Sequence, residues 1–225
     1  MVLGQARLTA RLLLATIAGI ALWSLLWFGP EHLLPPRIRG GVAAEPMAVW
    51  EAALRFPGVA LLWSLIYEGA ARVPRWRRNI VRAGNVFATT WISTMTLVLA
   101  MQVITLASAM GYAIDRGSAF ATVIGVLLLF RANMLPKSRP AWFNGIALPI
   151  FASRADVWRR VHRASAVRVI GIALACFLLA AFAPEGMDPI QPIVLLLLAE
   201  LVIASGHGLW LGSTTRAGEP VPSDA

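Results

Sequence analysis

The chain has 225 residues, of which 58% are hydrophobic and 14% charged, and its mean hydropathy is +0.71. About a quarter of residues are charged in soluble domains, and a 24.3 kDa chain has no core large enough to hide this apolar surplus, so an ordinary soluble fold is excluded and lipid is the expected solvent. The 20 Lys and Arg outnumber the 11 Asp and Glu for a net charge of +9, and a lone cysteine, Cys176, excludes an internal disulfide or a Cys-rich metal site.

A hydrocarbon core about 30 Å thick takes about 20 apolar residues per helix. Six runs of that kind occur in chain order. The first, residues 8–28, ends at Gly29-Pro30 with Trp23 and Trp27 near its exit, where interfacial aromatics belong. The apolar stretch 57–71 spans only about 22 Å at the helix rise, so the second helix is expected to begin near Val49, with Glu51 and Arg55 at the interface and Pro57 as a kink or helix start. The remaining runs cover residues 86–112, 118–135, 166–182 and 190–211. All six read as helices, because backbone left unpaired in lipid is too costly.

The expected architecture is therefore all-α, a polytopic six-helix transmembrane bundle. Residues 1–112 form one three-helix region, residues 113–213 a second with a basic loop at 136–165, and residues 214–225 a disordered tail. A cleaved signal peptide is the alternative for the first run, since Arg7 and Arg11 precede it and Val42-Ala43-Ala44 is rich in small residues. The run is longer than the usual stretch of about 7–15 residues, and the small residues lie far beyond it. An uncleaved helix fits better.

Basic residues are distributed unevenly between the two sides. Arg7 and Arg11 precede the first span; Arg72, Arg75, Arg77, Arg78 and Arg82 fill the second connection; Arg131, Lys137, Arg139, Arg154, Arg159, Arg160, Arg163 and Arg168 fall around the fourth; and Arg216 follows the last. Sixteen of the 20 thus share one side, while Arg37, Arg39, Arg55 and Arg116 lie opposite among Glu31, Glu45, Glu51, Asp115, Glu185 and Asp188. By the positive-inside rule both termini and the basic loops are expected in the cytoplasm of a bacterium, with the chain in its inner membrane.

This topology accounts for the charge without nucleic acid. Most of the nine tryptophans fall near span boundaries and no recognition motif is present, so direct nucleic-acid binding is not expected. His32, His162 and His207 fall on the outer side, in the inner loop and in the sixth span, too dispersed for a metal. Ser205, His207 and Glu200 share one helix but lack a nucleophile-elbow setting. The chain is read as a non-enzyme without metal or cofactor.

Ionisable groups inside apolar spans are costly and mark bundle interiors or water-filled cavities. Glu200 lies mid-span, with His207 two turns along the same face, about 10.5 Å away by helix rise. Gln102 and Asn133, on other helices, are candidates to bridge them. Apolar surroundings favour the protonated form of such a carboxyl, a hydrogen-bond donor. It either ties helices together or moves protons in a small proton-coupled transporter or carrier. Glu68, four residues before Arg72, is expected to pair with it.

The basic loop is the most distinctive stretch. Pro136, Pro140 and Pro149 with Gly145 make a rigid excursion, and Ser153 with Asp156 resembles a capping box that starts a helix. That helix places Ala155, Trp158 and Val161 on one face and Arg159, Arg160 and Arg163 mostly elsewhere. The pattern suits a segment lying on the anionic headgroups of the inner leaflet, or a binding site for a partner.

Asn133, Pro136-Lys137, Arg139-Pro140, Phe143, Gly145-Ile146, Pro149, Val157-Trp158 and His162-Arg163 stand in the order and spacing of the signature of the SdpI family, which this loop resembles. The family pattern has Gly where Ala132 stands, Asn at Ala141, Arg-Thr at Ala147-Leu148 and Trp at Ile150. Upstream, Leu34-Pro35-Pro36-Arg37-Ile38, Phe56-Pro57, Val73-Pro74-Arg75, Asn79-Ile80 and Gln102-Val103-Ile104 look like the domain that often precedes the signature. The resemblance implies a six-helix inner-membrane protein that gives immunity to a membrane-active peptide toxin met on the outer side. In some members it also implies a transcriptional repressor held at the membrane. It brings no catalytic residue and no cofactor. Lys137, Arg139, Trp158, His162 and Arg163 are the residues expected at the cytoplasmic contact.

Overall fold

The computed structural model describes residues 3–34, 38–39, 42–43, 47–83, 85–110, 112, 114–140, 154–184 and 187–214. Among them are seven α-helices, α1 (Leu3–Phe28), α2 (Val49–Arg72), α3 (Pro74–Ala83), α4 (Asn85–Ala109), α5 (Arg116–Met134), α6 (Ala155–Phe182) and α7 (Ile190–Thr214). A single 3-10 turn, Leu135–Lys137, extends α5. All but α3 are long and apolar enough to cross a membrane. The connection after α1 holds four two-residue β segments in two antiparallel pairs, Leu33–Leu34 with Met47–Ala48 and Ile38–Arg39 with Val42–Ala43.

Helix ends follow local chemistry. Gly29, at φ 80°, closes α1, with its N–H donating to Leu25 O at 3.1 Å, the left-handed stop that glycine adopts without a Cβ penalty. The second helix starts at Val49, as its short apolar stretch required, and Pro57 lies inside it. Asp115 caps α5 by accepting from the Gly117 N–H at 3.0 Å and the Ser118 hydroxyl at 2.5 Å, and Asp188 accepts from the Ile190 N–H at 3.0 Å to start α7.

Three elements differ from the sequence reading. The third span, α4, ends at Ala109 rather than at residue 112. The basic connection after α2 contains α3, an amphipathic helix that buries Ile80 and Ala83 while Arg77 and Arg78 stay exposed. The fifth span begins at Ala155, not near residue 166, because Val157, Trp158, Val161, His162, Ser165, Val169, Ile172, Ala173 and Cys176 form one unbroken buried stripe. At 28 residues α6 is about 42 Å long, longer than the hydrocarbon core.

Two packing centres result. One joins α1, α2 and α4 around Ile17, Phe56, Ala60, Phe87, Trp91 and Met95. The other joins α5, α6 and α7 in clusters that include Ala121, Cys176 and Ile193 and, farther along, Val157, Trp158 and Leu211. Gly125 permits the α5–α6 approach, since a Cβ there would lie 2.8 Å from the Phe177 ring and 3.2 Å from Ala173 O. Outward faces are apolar, with Leu26, Val167, Phe182 and Val202 each more than two-thirds exposed. That is the inverse of a soluble surface and fits a multi-pass membrane protein.

Candidate functional site

Polar side chains gather at the end of the bundle where α1 starts and α7 finishes. There Glu68 on α2 accepts from Arg11 on α1 at 3.0 Å and from Arg72 at 3.1 Å, so the expected i,i+4 pair also ties two helices. Arg131, near the end of α5, donates to the Thr90 hydroxyl on α4. Arg154 donates to Gly212 O on α7 at 3.1 Å and lies 3.5 Å from Asp156. Arg154 occupies the N-cap position of α6 without a side-chain cap, while Ser153 of the expected capping box lies outside the described residues.

The described part of the signature stretch is built around Trp158. Its indole Nε1 donates to the Ser138 hydroxyl at 3.1 Å, and its ring stacks on His162 at 4.1 Å between centroids. His162 Nδ1 donates to Trp158 O at 2.8 Å, since a carbonyl can only accept; its Nε2 is buried with no partner among the described residues. Val157 is buried in the same cluster as Trp158, Leu135 packs with Ala132, Ala166 and Val169, Pro136 lies in the 3-10 turn, and Pro140 is half-buried. The 3-10 turn is thereby held against the first turns of α6.

Two expectations about this stretch are corrected. Trp158 and Val161 do not lie on a leaflet surface, because both are wholly buried against Ala204 and Leu211 of α7. The segment is the start of a spanning helix rather than a surface anchor. The expected contact set also divides: Lys137, Arg139 and Arg163 are exposed, whereas Trp158 and His162 are interior. Lys137 donates to Asn133 Oδ1 at 3.2 Å across one turn. Phe143, Gly145, Ile146 and Pro149 lie outside the described residues.

The intramembrane polar groups do not converge as expected. Gln102 donates to Ile17 O on α1 at 3.0 Å and belongs to the first packing centre, and Asn133 holds Lys137, so neither bridges Glu200 to His207. Glu200, 3% exposed, instead accepts two hydrogen bonds from Arg168 on α6, at 2.5 and 3.1 Å. Both Glu200 oxygens therefore accept from the guanidinium, and neither donates to another helix as apolar surroundings alone suggest. Arg168 also donates to Ser165 at 3.1 Å. His207 is half-buried and stacks loosely on Trp210.

Arg131 and Arg168 border the basic loop in sequence, yet one reaches Thr90 on α4 and the other Glu200 on α7. The available signal was position, since Arg168 already lies inside the apolar run 166–182 and Arg131 inside 118–135. Of the nine tryptophans, Trp91 and Trp158 are core residues, whereas Trp23, Trp27, Trp50, Trp63, Trp76 and Trp210 are exposed. Among the described residues no three His, Cys, Asp or Glu side chains come together as a metal site. What the arrangement offers chemically is a closed ion pair at mid-bundle and a cationic surface at the terminal end. No protein-family model matches the chain, and no curated protein or solved structure matches it.

Proposed function

We propose that the chain is an inner-membrane protein of a bacterium that protects its cell against a membrane-active peptide toxin, as the SdpI-like proteins it resembles do. The observation that carries this reading is the ordered set of signature positions from Asn133 to Arg163. In this reading both termini face the cytoplasm, the connections at the opposite end and the lipid-facing helices meet the toxin, and no catalytic step or cofactor is involved. Lys137, Arg139 and Arg163, exposed beside the Ser138–Trp158 junction, lie against anionic headgroups and form the surface that a cytoplasmic repressor would engage. Trp158 and His162 act by holding that surface in place.

Survival under challenge tests the proposal. A strain lacking the protein should be killed by a secreted membrane-active peptide at a concentration that an overexpressing strain withstands. Equal survival across a broad panel of such peptides overturns it. The proton-coupled carrier gives a different outcome in the same hands, pH-dependent flux in proteoliposomes that Glu200→Gln abolishes.

A further inference from the structure

Where α1 finishes and α2 starts, the bundle carries a row of aromatic rings in contact. Trp23 and Trp27 stack at 5.9 Å between centroids, and Trp23 meets the Phe28 ring edge-on at 6.2 Å. Phe28 in turn stacks on His32 at 5.3 Å. The segment carrying His32 is fixed to the start of α2, because the Val49 N–H donates to His32 O at 2.9 Å and the Trp50 N–H to Pro30 O at 3.2 Å. The row is therefore a built ledge rather than a set of separate side chains.

The ledge is open. Trp27 is 69% exposed and Trp23 42%, and Leu26, Leu33 and Trp50 are exposed around them. With one face on Trp23, Trp27 presents its other face outward. Two carboxylates belong to the same segments: Glu31, exposed, precedes His32, and Glu51 follows Trp50. Neither has an ion-pair partner among the described residues. An indole face is electron-rich and attracts ammonium or guanidinium groups, and carboxylates favour the same sign of charge. A phosphate would be repelled here, and a purely apolar helix would gain nothing from Glu31 or Glu51.

We propose that Trp23, Trp27, Phe28 and His32, with Glu31, form the docking surface for a cationic amphipathic peptide. Its Lys or Arg side chains stack on the open face of Trp27 and pair with Glu31, while its apolar side lies on Leu26 and Leu33. The inference rests on the toxin reading for the source of that peptide, and it names where on the chain the toxin is met.

The test is peptide binding by the intact chain in phosphatidylcholine nanodiscs, with empty discs as the blank. The probes are a fluorescent amphipathic helix of Lys and Leu and its counterpart with Glu in place of Lys. The wild type should bind the Lys probe about tenfold more tightly than the Glu probe. Trp27→Leu, which keeps an apolar side chain at an exposed position, should weaken the Lys probe about fivefold, the worth of one exposed cation–π contact. Glu31→Gln should weaken it about threefold. Trp210→Leu removes an exposed indole near the end of α7 and should change nothing.

Equal affinity for the two probes overturns the proposal. So does a loss in Trp210→Leu equal to that in Trp27→Leu, which would make the ring row an ordinary boundary belt. Survival under toxin challenge separates the ledge from the reading it rests on. If the wild type protects its cell and Trp27→Leu/Glu31→Gln protects equally, the ledge alone is overturned. A wild type that gives no protection overturns the toxin reading, and the probe titration still decides the ledge.

Discussion

Glu200 and Arg168 meet across α7 and α6 through two hydrogen bonds, at 2.5 and 3.1 Å, with Glu200 almost wholly buried and Arg168 30% exposed on its side chain. Either group alone would be an uncompensated charge inside the bundle. Removing one partner of such a pair costs about 3–5 kcal/mol, whereas replacing both by apolar groups is often neutral. Glu200→Gln and Arg168→Met should each lower thermal stability in detergent, and the double variant Arg168→Met/Glu200→Leu should recover most of the loss. Additive losses in the double variant would show that the pair is not coupled.

The Trp158–Ser138 hydrogen bond predicts a smaller coupling. Trp158→Phe and Ser138→Ala each remove one side of a buried bond, and a double-mutant cycle should return about 1 kcal/mol of interaction. Exposed Lys137 and Arg163 should show no coupling to Trp158 in the same measurement.

Gly125 is a close-approach position. The Cβ of Gly125→Ala would meet the Phe177 ring at 2.8 Å and Ala173 O at 3.2 Å, so the variant should lose about 1–3 kcal/mol, the usual cost of overpacking. In a Phe177→Leu background, where the ring is gone, the penalty should shrink. An unchanged penalty would place the obstruction in the α6 backbone.

Gln102 ties α4 to α1 through Ile17 O. Gln102→Leu should cost about 0.6 kcal/mol, the average for an interhelical hydrogen bond in a membrane bundle, and should leave survival under toxin challenge unchanged.

Orientation can be read with single cysteines. Cys176 is wholly buried, so it should resist an impermeant maleimide, and Cys176→Ala gives a silent background. In that background Lys137→Cys should label in inverted inner-membrane vesicles and not in intact spheroplasts. The reverse pattern would invert the proposed topology and move the basic surface outside.

The amino-acid order by itself determined the six spans and the approximate limits of all but the fifth, because hydropathy summed over the length of a bilayer is a local property. Val49 as the start of α2, Gly29 as the stop of α1 and the Glu68–Arg72 pair were all legible for the same reason: each depends on residues within a few turns. The tertiary structure decided which charges serve the loop and which the core. Arg168 differs from Arg163 by little more than one turn, yet the rotation of α6 against α7 sends one to Glu200 and leaves the other exposed. Trp158 fits a membrane-surface helix by composition, but it is interior because α6 continues as one buried stripe and Ser138 is folded back to meet its indole. Helix rotation and long-range pairing depend on the partner helices, and so they are not carried by the periodicity of any one segment.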